Sequence, residues 1–368
     1  MEPILSNINV SNNQANFTLE NVNVSIANAI RRTIMSEIPV IVFKTFPESD
    51  NDATITKNTS RMNNEIIKQR LSCIPIVIQD MEFPIDTYIL EVNETNTTDS
   101  MMVVTSEHFK IKNIQNDQYL TREKIKAIFP PDSITKHYID FVRLRPKISD
   151  EIPGEAIALT CKFSISSAKT DGMFNVTSTC VYGNTPDNDK IDAAWTLKEK
   201  DLKEQQMDEE GISLERENFM IMDSQRIFMP NSFDFTLESI GIYESTELVE
   251  KACDIITGKC EKFIKDIQEK PELIQSSNTT MLNSFDVTLI KEDYTLGKML
   301  EYFLYVLFYE NEGKMSFCGF KKFHPHDANS IIRMGYKSNE HNETIVDDLT
   351  QATKAAIIII KKINDQFA

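Results

Sequence analysis

The residues with the clearest capacity for chemistry are histidines near the end of the chain. His324 and His326 flank a proline and precede Asp327, and they could bind a metal ion together with His108 or His137. A metal-binding enzyme that uses His324 and His326 is therefore one hypothesis. The chain offers little else for catalysis: no Gly-rich phosphate loop, no paired carboxylates in a recognisable setting and no nucleophile motif. We therefore predict no catalytic residue, no cofactor and no bound metal.

The cysteines form no recognisable metal or redox pattern. The sequence has no Cys-x-x-Cys pair, and no histidine lies at zinc-finger spacing from a cysteine. Cys253 and Cys260 lie on one face of a predicted helix, which core packing explains without a metal. We expect reduced, partly buried thiols, as is usual in an intracellular protein. The six are Cys73, Cys161, Cys180, Cys253, Cys260 and Cys318.

The charge balance disfavours nucleic acid as a direct ligand. Asp and Glu number 56 against 39 Lys and Arg, which gives a formal net charge of −17. Binding to a polyanion normally requires a basic surface, and the densest basic cluster (Arg143, Arg145 and Lys147) is too small to hold a duplex. The N-terminus shows no signal peptide, and no apolar run of about 18 residues occurs. We expect neither sequence-specific nucleic-acid binding nor a membrane span.

An internal repeat in the sequence indicates the structural framework of the chain. A shift of 270 residues aligns residues 17–34 with residues 287–304 without a gap. Each copy has a short apolar-alternating run, a polar turn, a hydroxyl residue suited to an N-cap (Ser25 or Thr295) and then apolar residues at helical spacing. The pattern predicts a strand, a turn and a helix in both places.

The apolar stripes of these two helices are candidates for an intramolecular dimerisation surface. Ordinary core helices have the same spacing, so either stripe alone is explained by core packing. Two similar helices far apart in sequence favour two units that pack on each other in pseudo-symmetry. The stripe residues are Ile26, Ile30, Ile34, Leu296, Met299, Leu300, Phe303, Leu304 and Leu307.

Between the two copies of the repeat, the pattern of apolar and polar residues changes. Short β-leaning runs separated by Asn/Asp-rich turns predict a β-rich insert from about 80 to 190. The polar stretch 185–211 predicts an exposed helix flanked by loops, with an acidic loop at 199–217, and residues 215–222 return to strand character. A helix follows over 246–269, then a linker at 270–283, and the last helix covers 344–367.

These motifs resemble a known family. Residues 28–39 (NAIRRTIMSEIP) are similar to the helix signature of the α-type subunits of multisubunit RNA polymerases, and elements of 58–76 are similar to that family's second signature. Residues 292–300 (EDYTLGKML) and 318–325 resemble the smaller partner, the archaeal L subunit or the eleventh subunit of polymerase II. The resemblance implies a fusion of two normally separate subunits, as in large nucleocytoplasmic DNA viruses.

The resemblance implies an α+β fold with two pseudo-equivalent α/β dimerisation units packed through their helices, plus a β-rich insert domain. The first unit resembles the archaeal D subunit, whose relatives often carry a metal site built from clustered cysteines. Because this insert has only Cys161 and Cys180, we expect no metal there. The implied boundaries are a discontinuous D-like domain at 1–80 and 215–269, an insert at 81–214, a linker at 270–283 and an L-like domain at 284–368.

The implied function is that of a non-catalytic assembly platform for a DNA-directed RNA polymerase. The implied partners are the two largest, catalytic subunits, with small zinc-bearing subunits as further candidates. A linker of 14 flexible residues spans about 20 Å and gives an effective concentration on the order of millimolar. We therefore expect a monomeric chain that acts as an internal pseudo-heterodimer. The implied location is intracellular, in a viral factory of the host cytoplasm with packaging in the virion, or alternatively in the nucleus.

The resemblance also suggests which residues contact the large subunits. They are Asn28, Arg31, Arg32, Glu65 and Arg70. The alternative is that these arginines only form surface ion pairs with nearby glutamates, each worth less than about 1 kcal/mol. The second copy departs from the family pattern at Tyr294, Lys298 and Glu301, so the partner contacts made at those positions are not carried over.

Overall fold

The computed structural model describes residues 2–149 and 151–367. In these ranges the helices are α1 (Val24–Ser36), α2 (Asn64–Ser72), α3 (Arg122–Ile128), α4 (Asn188–Glu204), α5 (Glu209–Ile221), α6 (Ser245–Glu269), α7 (Tyr294–Leu304) and α8 (Asn342–Asn364). The strands are β1 (Ile4–Ser11), β2 (Gln14–Glu20), β3 (Val40–Val42), β4 (Ala53–Asn58), β5 (Tyr88–Thr95), β6 (Met102–Thr105), β7 (Lys110–Asn113), β8 (Asp140–Leu144), β9 (Ala156–Lys162), β10 (Ser164–Ser166), β11 (Thr177–Pro186), β12 (Phe228–Ser239), β13 (Ile274–Ser276), β14 (Ser284–Leu289), β15 (Met315–Lys321) and β16 (Ser330–Tyr336). None of the described helices is long and apolar enough to cross a membrane.

The chain forms two compact units, which we call unit 1 and unit 2. Unit 1 contains the stretch that ends at Ile34, Thr179–Glu238 and the stretch from Ser245 onward. Unit 2 contains Met35–Ser178 and Ser239–Glu244. The predicted insert boundaries of 81 and 214 therefore differ from the observed ones, because β4 pairs with β9 and α2 contributes to the same core as the strands of the insert.

Unit 1 contains the same four-stranded sheet twice. One sheet has the order β1-β2-β12-β11 and the other has the order β13-β14-β16-β15. In each sheet the strand before the first helix pairs antiparallel with the strand before the second helix, Phe17 opposite Phe235 in one case and Val287 opposite Ile332 in the other. The repeat found in the sequence thus extends to whole sheets, and the α+β fold with two pseudo-equivalent units is confirmed.

The first helix of each copy buries the same face. The shift of 270 residues carries every buried residue of α1 onto a buried residue of α7. The six pairs are Ile26 and Leu296, Ala27 and Gly297, Ala29 and Met299, Ile30 and Leu300, Thr33 and Phe303, and Ile34 and Leu304. An amphipathic helix is therefore preserved by its spacing although few side chains are identical.

The segment that follows α7 has a different helical geometry. The helix continues into a π-helical segment, Tyr305–Asn311, which has more residues per turn than an α-helix. Phe308, four residues after the buried Leu304, is fully buried at 1% exposure, whereas Leu307 is only half-buried. Leu307 is thus less buried than the other residues of the predicted dimerisation stripe, and its part in that surface stays a prediction.

The second helices of the two copies also correspond. A shift of 96 residues carries seven buried residues of α6 (Val249, Ala252, Cys253, Ile256, Cys260, Phe263 and Ile267) onto buried residues of α8 (Ile345, Asp348, Leu349, Ala352, Ala356, Ile359 and Ile363). The two helices pack against each other. They run antiparallel: Asn364 at the end of α8 donates to Asp254 in the first half of α6 at 3.1 Å, whereas Ile267 near the end of α6 and Val346 near the start of α8 line the same cavity. This is the geometry of an isologous, two-fold interface within one chain.

The two copies differ in what they insert between equivalent strands. Between the first helix and the next strand of the sheet, the second copy has only the π-helical segment and a short turn, whereas the first copy has most of unit 2. Between the last two strands, the second copy has the loop 322–329 and the first copy has α4 and α5. Both insertions leave the strand order of the sheet unchanged.

Unit 2 is β-rich, with a core of its own. Its sheets have the orders β4-β9-β5-β7, β6-β8 and β3-β10, and α2 and α3 contribute to the core. Aromatic rings lie at its centre, where Phe109 packs edge-to-face on both Phe129 and Phe141. Such ring pairs contribute about 0.5–1.5 kcal/mol beyond the area they bury.

Local corrections concern segments with ambiguous patterns. Residues 215–222, predicted as a strand, lie mostly in α5, which begins where Asp208 accepts a hydrogen bond from Gly211 N at 2.9 Å. The predicted linker 270–283 contains β13, which pairs with β14 because Leu273 and Ile274 are buried there. It is therefore not a fully flexible tether.

The predicted helix caps also move, by two residues in both copies. The side chains that accept the first hydrogen bonds are Asn23, from Ser25 N at 2.9 Å, and Asp293, from Thr295 N at 3.0 Å. Asn23 and Asp293 are themselves equivalent under the shift of 270 residues. The hydroxyl of Thr295 is left to accept a hydrogen bond from another helix, as described next.

Candidate assembly interface

Two cations of the first copy hold the start of α7 in the second. The guanidinium of Arg32 on α1 donates from Nη2 to Asp293 Oδ2 at 2.7 Å and from Nε to Thr295 Oγ1 at 2.9 Å. Lys259 Nζ on α6 lies 3.0 Å from Glu292 Oε2. We call this arrangement of Arg32, Lys259, Glu292 and Asp293 the inter-copy clamp. It joins both helices of the first copy to one turn of the second.

The two ion pairs of the clamp differ in exposure. The side chains of Lys259 and Glu292 are only 14% and 17% exposed, whereas those of Arg32 and Asp293 are 34% and 32% exposed. Solvent screens the Arg32 pair more strongly, so we expect the Lys259 pair to contribute more to stability. Breaking a mostly buried pair also leaves a carboxylate with less water to solvate it.

The clamp breaks the internal symmetry. The position equivalent to Arg32 is Tyr302, and the position equivalent to Lys259 under the shift of 96 residues is Ala355. The second copy therefore has no positively charged residue at either equivalent position. The sequence analysis did not predict Lys259, Glu292 or Asp293 as contact residues. A usable signal was the acidic pair in front of α7, because the equivalent residues of the first copy are neutral.

Replacing Lys259 by alanine is expected to lower the free energy of unfolding by about 1–2 kcal/mol, because Glu292 then stays largely buried without its cation. Urea unfolding of the full chain measures the change. Lys265→Ala is the matched control on the same helix, since Lys265 and Glu269 are 71% and 59% exposed and their pair should contribute almost nothing. Equal effects of the two changes would contradict the assignment of Lys259 to the clamp.

Of the five residues predicted to contact a partner, three lie on α1. Asn28 Oδ1 accepts hydrogen bonds from Nε and Nη2 of Arg31, at 3.1 and 3.0 Å, so these two side chains form one polar group. Arg32 points to the clamp instead. Contacts of Asn28, Arg31 and Arg32 with a partner stay a prediction.

The other two predicted contact residues lie on α2, in unit 2. Arg70 donates to two backbone carbonyls at the start of β8, Phe141 O at 2.7 Å and Asp140 O at 2.6 Å, and so ties the helix to that strand. Glu65 is exposed in the first turn of the same helix. A partner contact therefore remains a prediction for both residues, and Arg70 has in addition a structural role within its unit.

The stripe residues predicted to form the dimerisation surface are nearly all in the core. Ile26, Ile30, Ile34, Leu296, Met299, Leu300, Phe303 and Leu304 are each at most 6% exposed. The inter-copy packing given by the structure involves α6 with α8 and also α6 with α7. The helices predicted at 246–269 and 344–367 thus supply the main antiparallel contact.

The histidines give no support to the metal-enzyme hypothesis. The backbone N–H of His326 donates to Nδ1 of His324 at 3.2 Å, and the backbone N–H of His324 donates to Asp327 at 3.0 Å, so the run forms an exposed turn. In residues 2–149 and 151–367, no three His, Cys, Asp or Glu side chains converge in a way that could hold a metal ion.

The cysteine thiols are mostly buried and unreactive. Burial raises the pKa of Cys180, Cys260 and Cys318 to about 12 and that of Cys161 and Cys253 further still. A thiol rather than a thiolate is therefore present at neutral pH, and the thiolate is the form that binds metals and attacks electrophiles. Cys73 is exposed.

Comparison with known proteins gives the family of this chain. The family described as RNA polymerase Rpb3/Rpb11 dimerisation domain matches residues 16–260, two thirds of the chain. The chain belongs to the RNA polymerase Rpb3/Rpb11 dimerisation domain family. The match runs from β2 through unit 2 and into α6. The prediction of an α-type polymerase relative is confirmed at this level.

Two curated relatives match this chain over most of their own length. DNA-directed RNA polymerase subunit Rpo3 of Methanosphaera stadtmanae is 24% identical over 281 residues, which cover 70% of this chain and 96% of the relative. DNA-directed RNA polymerase II subunit RPB3 of Schizosaccharomyces pombe is 22% identical over 283 residues, which cover 73% and 89%. A shorter region of Rpo3 from Pyrococcus horikoshii is 34% identical over 85 residues, 23% of this chain and 29% of the relative.

The family match ends inside α6 and leaves the second copy outside it. Residues 284–367 are instead related to the matched part by the internal duplication, with the same strand order and the same buried helix positions. Within this Rpb3/Rpb11 dimerisation domain chain, a dimer-like arrangement is therefore formed by one polypeptide.

Proposed function

We propose that this chain is a non-catalytic assembly platform of a multisubunit DNA-directed RNA polymerase. In this proposal the duplicated unit 1 takes the place of a two-subunit dimer, and the two largest, catalytic subunits dock on it. The observation that carries the proposal is the repeated sheet with α6 packed antiparallel on α8, in a chain of the Rpb3/Rpb11 dimerisation domain family. The relatives named as polymerase subunits support it.

The finer parts of the proposal follow from the duplication. We propose that the chain is a fusion of a D-like and an L-like subunit, as the motifs at 28–39 and 292–300 suggest. Such fusions resemble polymerase subunits of large nucleocytoplasmic DNA viruses, which would place the protein in a viral factory of the host cytoplasm. Small zinc-bearing polymerase subunits are further proposed partners.

Fusion makes the pairing of the two copies intramolecular, so the isolated chain is expected to be a monomer. The chain mass is 42.2 kDa. Sedimentation of the purified protein checks this expectation. A homodimer in which α6 of one chain pairs with α8 of another would contradict an internal pseudo-heterodimer.

Co-expression with the two largest polymerase subunits from the same source tests the platform function. We expect all three proteins to purify together, and we expect Arg31→Ala combined with Arg32→Ala to reduce recovery of the large subunits about tenfold or more. The reason is that an arginine at an interface makes charge-assisted hydrogen bonds whose loss costs at least about 1.4 kcal/mol.

Because Arg32 also belongs to the clamp, Lys259→Ala is the control for that test. It weakens the clamp without removing a predicted docking residue. If Lys259→Ala reduces recovery as strongly as the double variant, the arginines act through the clamp and not through direct docking. Unchanged recovery in the double variant would remove Arg31 and Arg32 from the interface, and failure of the intact chain to associate would contradict the platform function itself.

A further inference from the structure

The helices α4 and α5 form a hairpin with a small core of its own. Ile191, Trp195 and Leu202 on α4 are buried together with Phe219 on α5. The rings of Trp195 and Phe219 lie 5.5 Å apart. Lys198 forms ion pairs with Glu215 at 3.3 Å and with Asp223 at 3.7 Å, which also joins the two helices.

The outer face of α5 carries a stripe that this core does not use. Positions 210, 214, 217 and 221 recur at helical spacing and lie opposite Phe219 on the helix. Leu214 is 59% exposed and Ile221 is 73% exposed, and Met222 just beyond them is 68% exposed. Large apolar side chains at such exposure, repeated at a spacing of seven residues, are the pattern of a helix face that packs on another helix.

The acidic residues of the stripe alternate with its apolar ones. Glu210 and Glu217 are exposed, and neither forms an ion pair with a described residue. The whole hairpin is acidic, since residues 187–223 contain twelve Asp and Glu against five Lys and Arg. A basic partner would therefore be attracted, whereas nucleic acid, an anionic membrane or a second copy of this acidic chain would be repelled.

The hairpin is an addition to the sheet and not a requirement for it. In the second copy the equivalent strands β15 and β16 are joined by the loop 322–329 alone. The hairpin has its own core, so packing of the sheet does not account for the apolar stripe on its outer side. Exposing apolar side chains to water is unfavourable, and the stripe therefore needs another explanation.

We propose that the outer face of α5, formed by Glu210, Leu214, Glu217 and Ile221, is a docking site for a basic amphipathic helix of a partner protein. The apolar residues of that helix pack on Leu214 and Ile221, and its Lys or Arg residues pair with Glu210 and Glu217. This inference does not depend on the proposed platform function, because it concerns only the hairpin.

Binding of a synthetic peptide to the full chain tests the proposal. The probe is a helical peptide with Leu at heptad spacing and Lys or Arg beside it on the same face, and fluorescence anisotropy measures its affinity. We expect Leu214→Ser combined with Ile221→Ser to weaken binding about tenfold or more. Raising the salt concentration is expected to weaken binding to the unaltered chain.

Leu197→Ser is the matched control, since Leu197 is 68% exposed on α4, away from the stripe. It is expected to leave the affinity unchanged. Circular dichroism of each variant checks that the helices remain. An equal loss in Leu197→Ser, equal binding of a peptide with Glu in place of Lys and Arg, or a homodimer abolished by Leu214→Ser with Ile221→Ser would each overturn the proposal.

Discussion

Replacing Lys314 by methionine is expected to lower the free energy of unfolding by about 3–5 kcal/mol, the cost of leaving one partner of a buried ion pair alone. Lys314 Nζ lies 2.8 Å from both carboxylate oxygens of Asp348 on α8, and the side chain of Asp348 is 4% exposed. The ammonium also lies 5.7 Å from the ring centroids of Phe308 and Tyr336. Methionine keeps most of the side-chain volume and removes only the charge and its hydrogen bonds.

The hydroxyl of Tyr336 cannot replace the lysine. It donates to Asp348 Oδ2 at 3.0 Å, and burial together with the neighbouring carboxylate raises its pKa far above the usual value, so the proton stays on the tyrosine. One neutral donor would then face a carboxylate that has lost its cation. We expect the cost to be measurable across the neutral pH range.

Urea unfolding of three variants separates this effect from general perturbation of α8. Lys354→Met, an exposed change on the same helix, is expected to stay within about 0.5 kcal/mol of the unaltered chain. The double variant Lys314→Met with Asp348→Ala is expected to recover part of the loss, because the residue equivalent to Asp348 in α6 is Ala252. A Lys314→Met variant as stable as Lys354→Met would show that Asp348 does not need its cation.

Replacing Gly297 by leucine is expected to cost about 3 kcal/mol, at the upper end of the usual range for overpacking. A Cβ at this position would lie 2.1 Å from two ring carbons of Phe320, which packs against α7 from β15. The equivalent residue in the first copy is Ala27, whose Cβ is accommodated at 0% exposure. Gly297 is therefore required by close approach of a ring and not by backbone conformation.

The same change at another helical glycine provides the control. A Cβ at Gly258 on α6 meets nothing within 4 Å, so Gly258→Leu should stabilise the chain by up to about 1 kcal/mol, since leucine is a better helix former than glycine. Combining Gly297→Leu with Phe320→Ala removes the ring and should restore most of the loss. Thermal unfolding compares the three variants, and equal effects at the two glycines would contradict the contact with Phe320.

The duplicated helices show how much of this fold can be predicted from the local spacing of apolar residues. The strand, turn and helix at 17–34 and 287–304 were predictable because apolar residues at a spacing of three and four residues must face one side of a helix. The buried faces of α1 and α7 followed from the same spacing. Leu307 is less buried than the stripe residues before it, and it lies in a π-helical segment whose position the side-chain pattern does not indicate.

Segments without strong periodicity were decided by their surroundings. Residues 215–222 have apolar residues compatible with strand or helix, and packing of Phe219 on Trp195 selects the helix. Residues 274–276 looked like part of a linker, and pairing with β14 makes them a strand. Short segments gain too little from their own propensity to decide between such alternatives, so non-local contacts decide.

For the candidate interface, the sequence by itself determined that the chain contains two similar units, which helix faces are apolar and which arginines occupy the family motif. Only the tertiary structure decided that α6 lies antiparallel to α8, that Arg32 pairs with Asp293 and Lys259 with Glu292, and that α5 leaves Leu214 and Ile221 exposed. The physical reason is that hydrophobic spacing is a local property of the chain, whereas the partner of a charge depends on which residues the fold brings together, 33 positions apart for Lys259 and Glu292 and 261 apart for Arg32 and Asp293.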